Sequence, residues 1–163
     1  MSEVQKASRV EVLVDATVQQ VWDVVSDVTR VGEWSHECRG ARWLGATHAA
    51  LPGAQFRGRN RAGWAIWSRQ CEIVAVDPPR ELAWRTVPSR LLPDSTLWRI
   101  ELEAHGTQTR ITQSFQVLLA PWLLDRFFAA VIPPHRDRDL RLAEDLLRIG
   151  DVARGATPAR TGS

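Results

Sequence analysis

The chain has 163 residues, 44% of them hydrophobic and 25% charged, with a formal net charge of +2. These values fit one cored domain and exclude a disordered, collagenous or disulfide-dense chain. The slight positive charge, carried by 20 Arg against one Lys, gives no ground for a nucleic-acid partner. Eight Trp stand beside four Phe and no Tyr. Trp supplies a large apolar area with a single donor, which suits the wall of an apolar pocket.

Residues 1–8 read as a flexible start without an apolar signal segment, and no run reaches the roughly 20 apolar residues of a spanning helix. A cytoplasmic protein without stable membrane insertion, monomeric or homodimeric, is expected. Cys38 and Cys71 are too few for a disulfide framework and read as small buried hydrophobes. One domain spans 9–153, and 154–163 form a small, polar, mobile tail.

The first strand covers 9–15, where Val10, Val12 and Val14 alternate with Arg9, Glu11 and Asp15. Thr17 precedes Gln20 at capping-box spacing, and Val18, Val21, Trp22 and Val25 follow with helical period, so a helix is predicted over 17–27 with Trp22 in the core. A second helical turn covers Arg30–Trp34, and a strand covers Cys38–Leu44.

From Gln55 the chain reads as hairpins. A turn at Ala62-Gly63 pairs Phe56 with Cys71, Gly58 with Arg69 and Asn60 with Trp67, which puts Arg57, Arg59 and Arg61 on the other, wet face. A turn at Asp77-Pro78-Pro79-Arg80 pairs Ile73 with Trp84 and Ala75 with Leu82. A turn at His105-Gly106-Thr107-Gln108 pairs Trp98 with Phe115, Ile100 with Gln113, Leu102 with Ile111 and Glu103 with Arg110.

Phe56, Trp67, Ile73, Leu82, Trp84, Trp98, Ile100, Leu102, Ile111 and Phe115 then share one face, too apolar to leave in water. Its cover is an amphipathic helix over 136–153 that buries Leu140, Ala143, Leu146, Leu147 and Ile149. Between them, 117–134 is apolar and broken by Pro121 and Pro133-Pro134, as a lid or portal would be. The order is α+β: one strand, two short helices, six antiparallel strands and a long last helix.

Five phrases carry a resemblance: Glu33-Trp34-Ser35, Arg42-Trp43-Leu44, the stretch Gly53-Ala54-Gln55-Phe56-Arg57-Gly58-Arg59-Asn60-Arg61, Asp77-Pro78-Pro79, and Trp98-Arg99-Ile100-Glu101-Leu102-Glu103. Over about residues 8–153 the chain resembles the polyketide cyclase/dehydrase and lipid-transport branch of the START-like, helix-grip superfamily. The resemblance implies a curved antiparallel sheet of about seven strands wrapped around the C-terminal helix, and a cavity between them for a lipid, sterol, aromatic polyketide or hormone-like molecule. His36 stands where relatives commonly have proline. Binders and cyclases share this shell, so the fold alone does not separate them.

Trp34, Trp43, Phe56, Trp67, Trp84, Trp98, Phe115 and Phe128 are the expected liners, with Arg69, Asn60 and Gln113 as polar anchors. Arg69, inward beside side-chain-free Gly58, either holds an internal ion pair or polarises a ligand oxygen. His36 and His135 near the mouth are acid–base candidates, although loop histidines more often serve structure. A metal site from His36, Cys38 and His48 is rejected because no H-E-x-x-H or paired C-x-x-C spacing occurs, and no phosphate loop or nucleophile elbow calls for a cofactor.

Three functions follow in order: a binding or transport protein for a small hydrophobic molecule; a polyketide cyclase or dehydratase with Arg69 and His36 as catalytic candidates; a regulatory or stress-linked interaction protein using its arginine face.

Overall fold

A computed structural model describes residues 7–119 and 138–155. Phe128, His135, most of the expected lid and the tail beyond 155 lie outside them.

β1 (Ala7–Val14) starts two residues before the expected strand and alternates as read, with Val14 buried and Leu13 the outward exception. α1 (Val18–Val25) opens on the Thr17 capping box: the Thr17 hydroxyl accepts from the Gln20 N–H, and the Gln20 side chain accepts from the Thr17 N–H. A 3-10 helix (Val28–Glu33) is capped by the Asp27 carboxylate. Six strands follow: β2 (Cys38–Leu44), β3 (Gln55–Ala62), β4 (Ala65–Asp77), β5 (Glu81–Thr86), β6 (Ser95–His105) and β7 (Gln108–Leu119). The chain ends in α2 (Arg138–Ala153).

The seven strands form one antiparallel sheet, curved and unclosed, in the order β1-β7-β6-β5-β4-β3-β2. Every expected pair of β3–β4 and β6–β7 is present, because each hairpin closes on a glycine of positive φ, Gly63 or Gly106; the β6–β7 register shifts only between Ser95 and Thr96.

One pairing differs. Ala75 faces Ala83 and Val76 faces Leu82, since a bulge between Ile73 and Ala75 inserts a residue into β4 and leaves Val74 outward. Parity recovers beyond the kink, so Ile73 and Leu82 are still buried.

The cover also departs from expectation. α2 buries Leu142, Leu146 and Ile149, together with Asp145, whereas Leu140 and Leu147 are 65% and 52% exposed. Positions 142, 145, 146 and 149 make one stripe at 3.6-residue period, and 140 and 147 fall on the opposite side of the helix. α2 lies chiefly on β1 and α1, so its footprint covers the β1 end of the sheet. Over β3 to β6 the concave face is left for the loop after α1 and for a hollow.

Candidate functional site

The hollow measures about 240 Å³. Its floor is the inward face of the sheet, with Phe56, Trp67, Leu82, Trp84 and Trp98; its roof is Val28 and Val31 of the 3-10 helix, the turn 34–38, and Leu142 and Asp145 of α2. The floor is a ladder of rings. Trp84 and Trp98 are direct cross-strand partners and stack nearly parallel, centroids 6.4 Å apart at 10°. Trp98 in turn leans on Phe115, its partner on β7, at 5.1 Å. Cross-strand aromatic pairs of this kind hold register as well as bury area.

Of the residues singled out in the sequence, Trp34, Phe56, Asn60, Trp67, Arg69, Trp84, Trp98 and Gln113 face the hollow. Trp43 and Phe115 stand behind it: Trp43 packs edge-on against Phe56 at 6.0 Å, and Phe115 sits beneath Trp98. His36 faces the hollow, whereas His48 is on an exposed loop, and no group of three His, Cys, Asp or Glu side chains suited to a metal gathers among the described residues.

Arg69 is buried and bound to Asp94: Nη1 donates to Oδ1 at 2.8 Å and Nη2 to the Asp94 carbonyl at 2.9 Å. The guanidinium therefore has its counter-charge inside the protein. The space at Gly58 belongs to another neighbour than the one expected, because a Cβ there would meet the Cys38 Sγ at 3.2 Å.

His36 has a partner that no local pattern announced. Its N–H donates to Asp145 Oδ1 at 2.9 Å, and its Nδ1 lies 2.6 Å from Oδ2 of the same carboxylate. Arg148 stands one helical turn on, 3.6 Å from that carboxylate, and donates to the Trp34 carbonyl. Burial pushes the Asp145 carboxyl above its ordinary range, and His36 and Arg148 oppose that shift. The arrangement fixes one ring nitrogen of His36 against the Asp145 carboxylate.

Cys38 and Cys71 also line the hollow; burial raises their thiols to about 11 and about 12, so neither is a thiolate nucleophile at neutral pH. Among the described residues two buried polar atoms, Trp34 Nε1 and Gln113 Oε1, have no hydrogen-bond partner.

A curved seven-stranded antiparallel sheet with a C-terminal helix across one end is the shell that the sequence phrases imply. The sequence profile described as polyketide cyclase/dehydrase and lipid transport matches residues 5–146. The chain belongs to this family.

No curated protein matches the sequence. Solved structures share the fold across nearly the whole chain. A polyketide-cyclase-like protein of Corynebacterium glutamicum is 24% identical, with 96% of each chain covered and a TM-score of 0.58. A protein of Deinococcus radiodurans is 16% identical, with 91% of this chain and 98% of that one covered and a TM-score of 0.64. DynU16, a putative protein in the dynemicin biosynthetic locus, is 19% identical; 96% of this chain covers 50% of that one, with a TM-score of 0.60. Among the described residues no helix is long and apolar enough to cross a membrane.

Within the family shell, two acids complete the polar side of the hollow, and sequence reasoning missed both. Asp94 directly precedes β6, and Asp145 sits among the apolar positions of α2. The signal for Asp145 was its spacing from Leu142, Leu146 and Ile149, which is that of a core position.

Proposed function

We propose that this protein binds a small, uncharged, largely aromatic or lipid-like molecule between the Trp84–Trp98 floor and α2. The observation that carries the reading is an indole-lined hollow whose buried cation is already matched. Apolar walls with a few directed polar groups are the usual form of a small-molecule site. Arg69 is held by Asp94, and Asp145 by His36 and Arg148, so a charged ligand would have to break a buried pair to find its own. The family's description, which includes lipid transport, is in keeping with such cargo.

The test is displacement of Nile red by 2-naphthol and by 2-naphthoate, two probes of one skeleton that differ in charge. The neutral probe should displace the dye at lower concentration, and Trp98→Ala should weaken its binding. Preference for the carboxylate, or no binding of either probe, would remove the reading.

A second reading, a cyclase or dehydratase, is favoured by the His36–Asp145 pair. A carboxylate that holds one imidazole nitrogen prepares the other as a general base or acid, as the loss of a proton beside a carbonyl requires. Arg69, with two donors engaged by Asp94, is less suited to an enolate oxygen than His36 is to the proton. His36→Gln would then abolish turnover of a poly-β-ketone while leaving naphthol binding in place.

A further inference from the structure

The arginines on the outer face of the sheet fall into two groups. Over one part of it each has an acid: Arg85 with Glu72 at 3.4 Å, Arg99 with Glu81 at 2.9 Å, Arg110 with Glu103 at 3.5 Å and Arg9 with Glu11 at 3.2 Å. On β2 and β3, Arg42, Arg57, Arg59 and Arg61 are exposed and form no ion pair with any described residue.

The second group is also crowded. Arg42 and Arg57 are direct cross-strand partners, and Arg59 and Arg61 continue the same face of β3 at steps of about 7 Å. Like charges placed directly opposite destabilise a sheet. Arg61 Nε donates to the Gly63 carbonyl at 3.1 Å, but none of the four has a counter-charge among the described residues, which an anionic surface would supply.

The tip of the same hairpin says what kind of surface. Gly63, with φ of +59°, turns the chain, and Trp64 beside it is 80% exposed. Ile66, the cross-strand partner of Arg61, is 67% exposed. RNA would want rings interleaved with the arginines to stack its bases, and no aromatic side chain stands among them on this face. An indole and a branched aliphatic chain at one end of a cationic strip suit the headgroup boundary of a bilayer, where Trp is favoured and basic residues meet anionic lipid.

We propose that the β3–β4 hairpin docks this protein reversibly on anionic membranes, with Trp64 and Ile66 entering the headgroup layer and Arg42, Arg57, Arg59 and Arg61 lying against lipid phosphates. The last inward pair before the tip that lines the hollow is Asn60 and Trp67, so docking brings that hollow within about two residues of the bilayer. The surface acts whatever the hollow holds: vesicle binding and naphthol binding can fail separately.

The experiment is flotation of the full chain with vesicles of phosphatidylcholine alone, or with about one-third phosphatidylglycerol. Binding is expected only to the anionic vesicles and should be released by high salt. Arg57→Gln/Arg59→Gln/Arg61→Gln should lower the partition coefficient about a hundredfold, at about fivefold per arginine, with unchanged or improved thermal stability because repulsion is relieved. Trp64→Ala, at a turn position without core contacts, should weaken binding on its own and serves as the second variant should the triple one fold poorly. Equal binding to neutral vesicles, binding that survives both variants, no binding, or capture of a single-stranded RNA oligomer in place of vesicles would each overturn the proposal.

Discussion

Asp145 grips His36 twice, through the backbone N–H at 2.9 Å and through ring Nδ1 at 2.6 Å, across 109 positions of sequence. One carboxylate thereby ties the turn after the 3-10 helix to the middle of α2, and it does so from a site where the charged form is disfavoured by burial.

That burial sets a pH dependence. The folded-state pKa of Asp145 is raised, with desolvation the largest cause, so folding favours its protonated form. Its contribution to stability is fully present below the ordinary carboxylate range and is lost as pH rises through the raised value. Urea denaturation at about pH 4 and about pH 7 should show the native chain losing stability relative to Asp145→Asn on going to the higher pH. The opposite slope would mean that His36 and Arg148 outweigh desolvation.

Gly150 of α2 rests on Val14 of β1, and a Cβ added there would stand 2.6 Å from the Val14 Cβ. Alanine is the better helix former by about 1 kcal/mol, but here it must push the helix from the sheet. Gly150→Ala should destabilise by about 1–3 kcal/mol net, measured by chemical denaturation, and should cost less when made in a Val14→Gly background than in the native chain. A stabilised Gly150→Ala would show that helix and strand are less close than described.

Arg69 and Asp94 make a separable test of the polar wall. Arg69→Met leaves the half-buried Asp94 carboxylate without its partner and should cost about 2–3 kcal/mol. Arg69→Met/Asp94→Asn should recover at least half of that, because the stranded charge is gone. Equal losses in both variants would place the cost in packing instead of charge.

The sheet was largely legible in the sequence because its signals are local. Glycine and proline turns and period-2 alternation set three hairpins, and with them the shared face of Trp67, Trp84 and Trp98. The bulge at Val74 was not, since an added residue leaves composition unchanged and shows only in pairing with β5. The phase of α2 was misread because Leu140 and Leu147 are as apolar as the leucines that are buried; only contact with β1 and α1 decides between the faces. The partners of Arg69 and His36 were illegible for a related reason: Asp94 and Asp145 lie 25 and 109 positions away, and charge complementarity across such separations leaves no spacing to read.

The near-parallel stack of Trp84 on Trp98 gives the molecule an optical reporter of its own. Two near-parallel, offset indoles 6.4 Å apart couple their electronic transitions, and the pair should produce a split far-ultraviolet dichroic band that an isolated indole lacks. The amplitude of that couplet depends on the separation of the rings and the skew of their transition dipoles, so the alignment of β5 with β6, and anything that wedges between the rings and α2, can be followed without adding a dye.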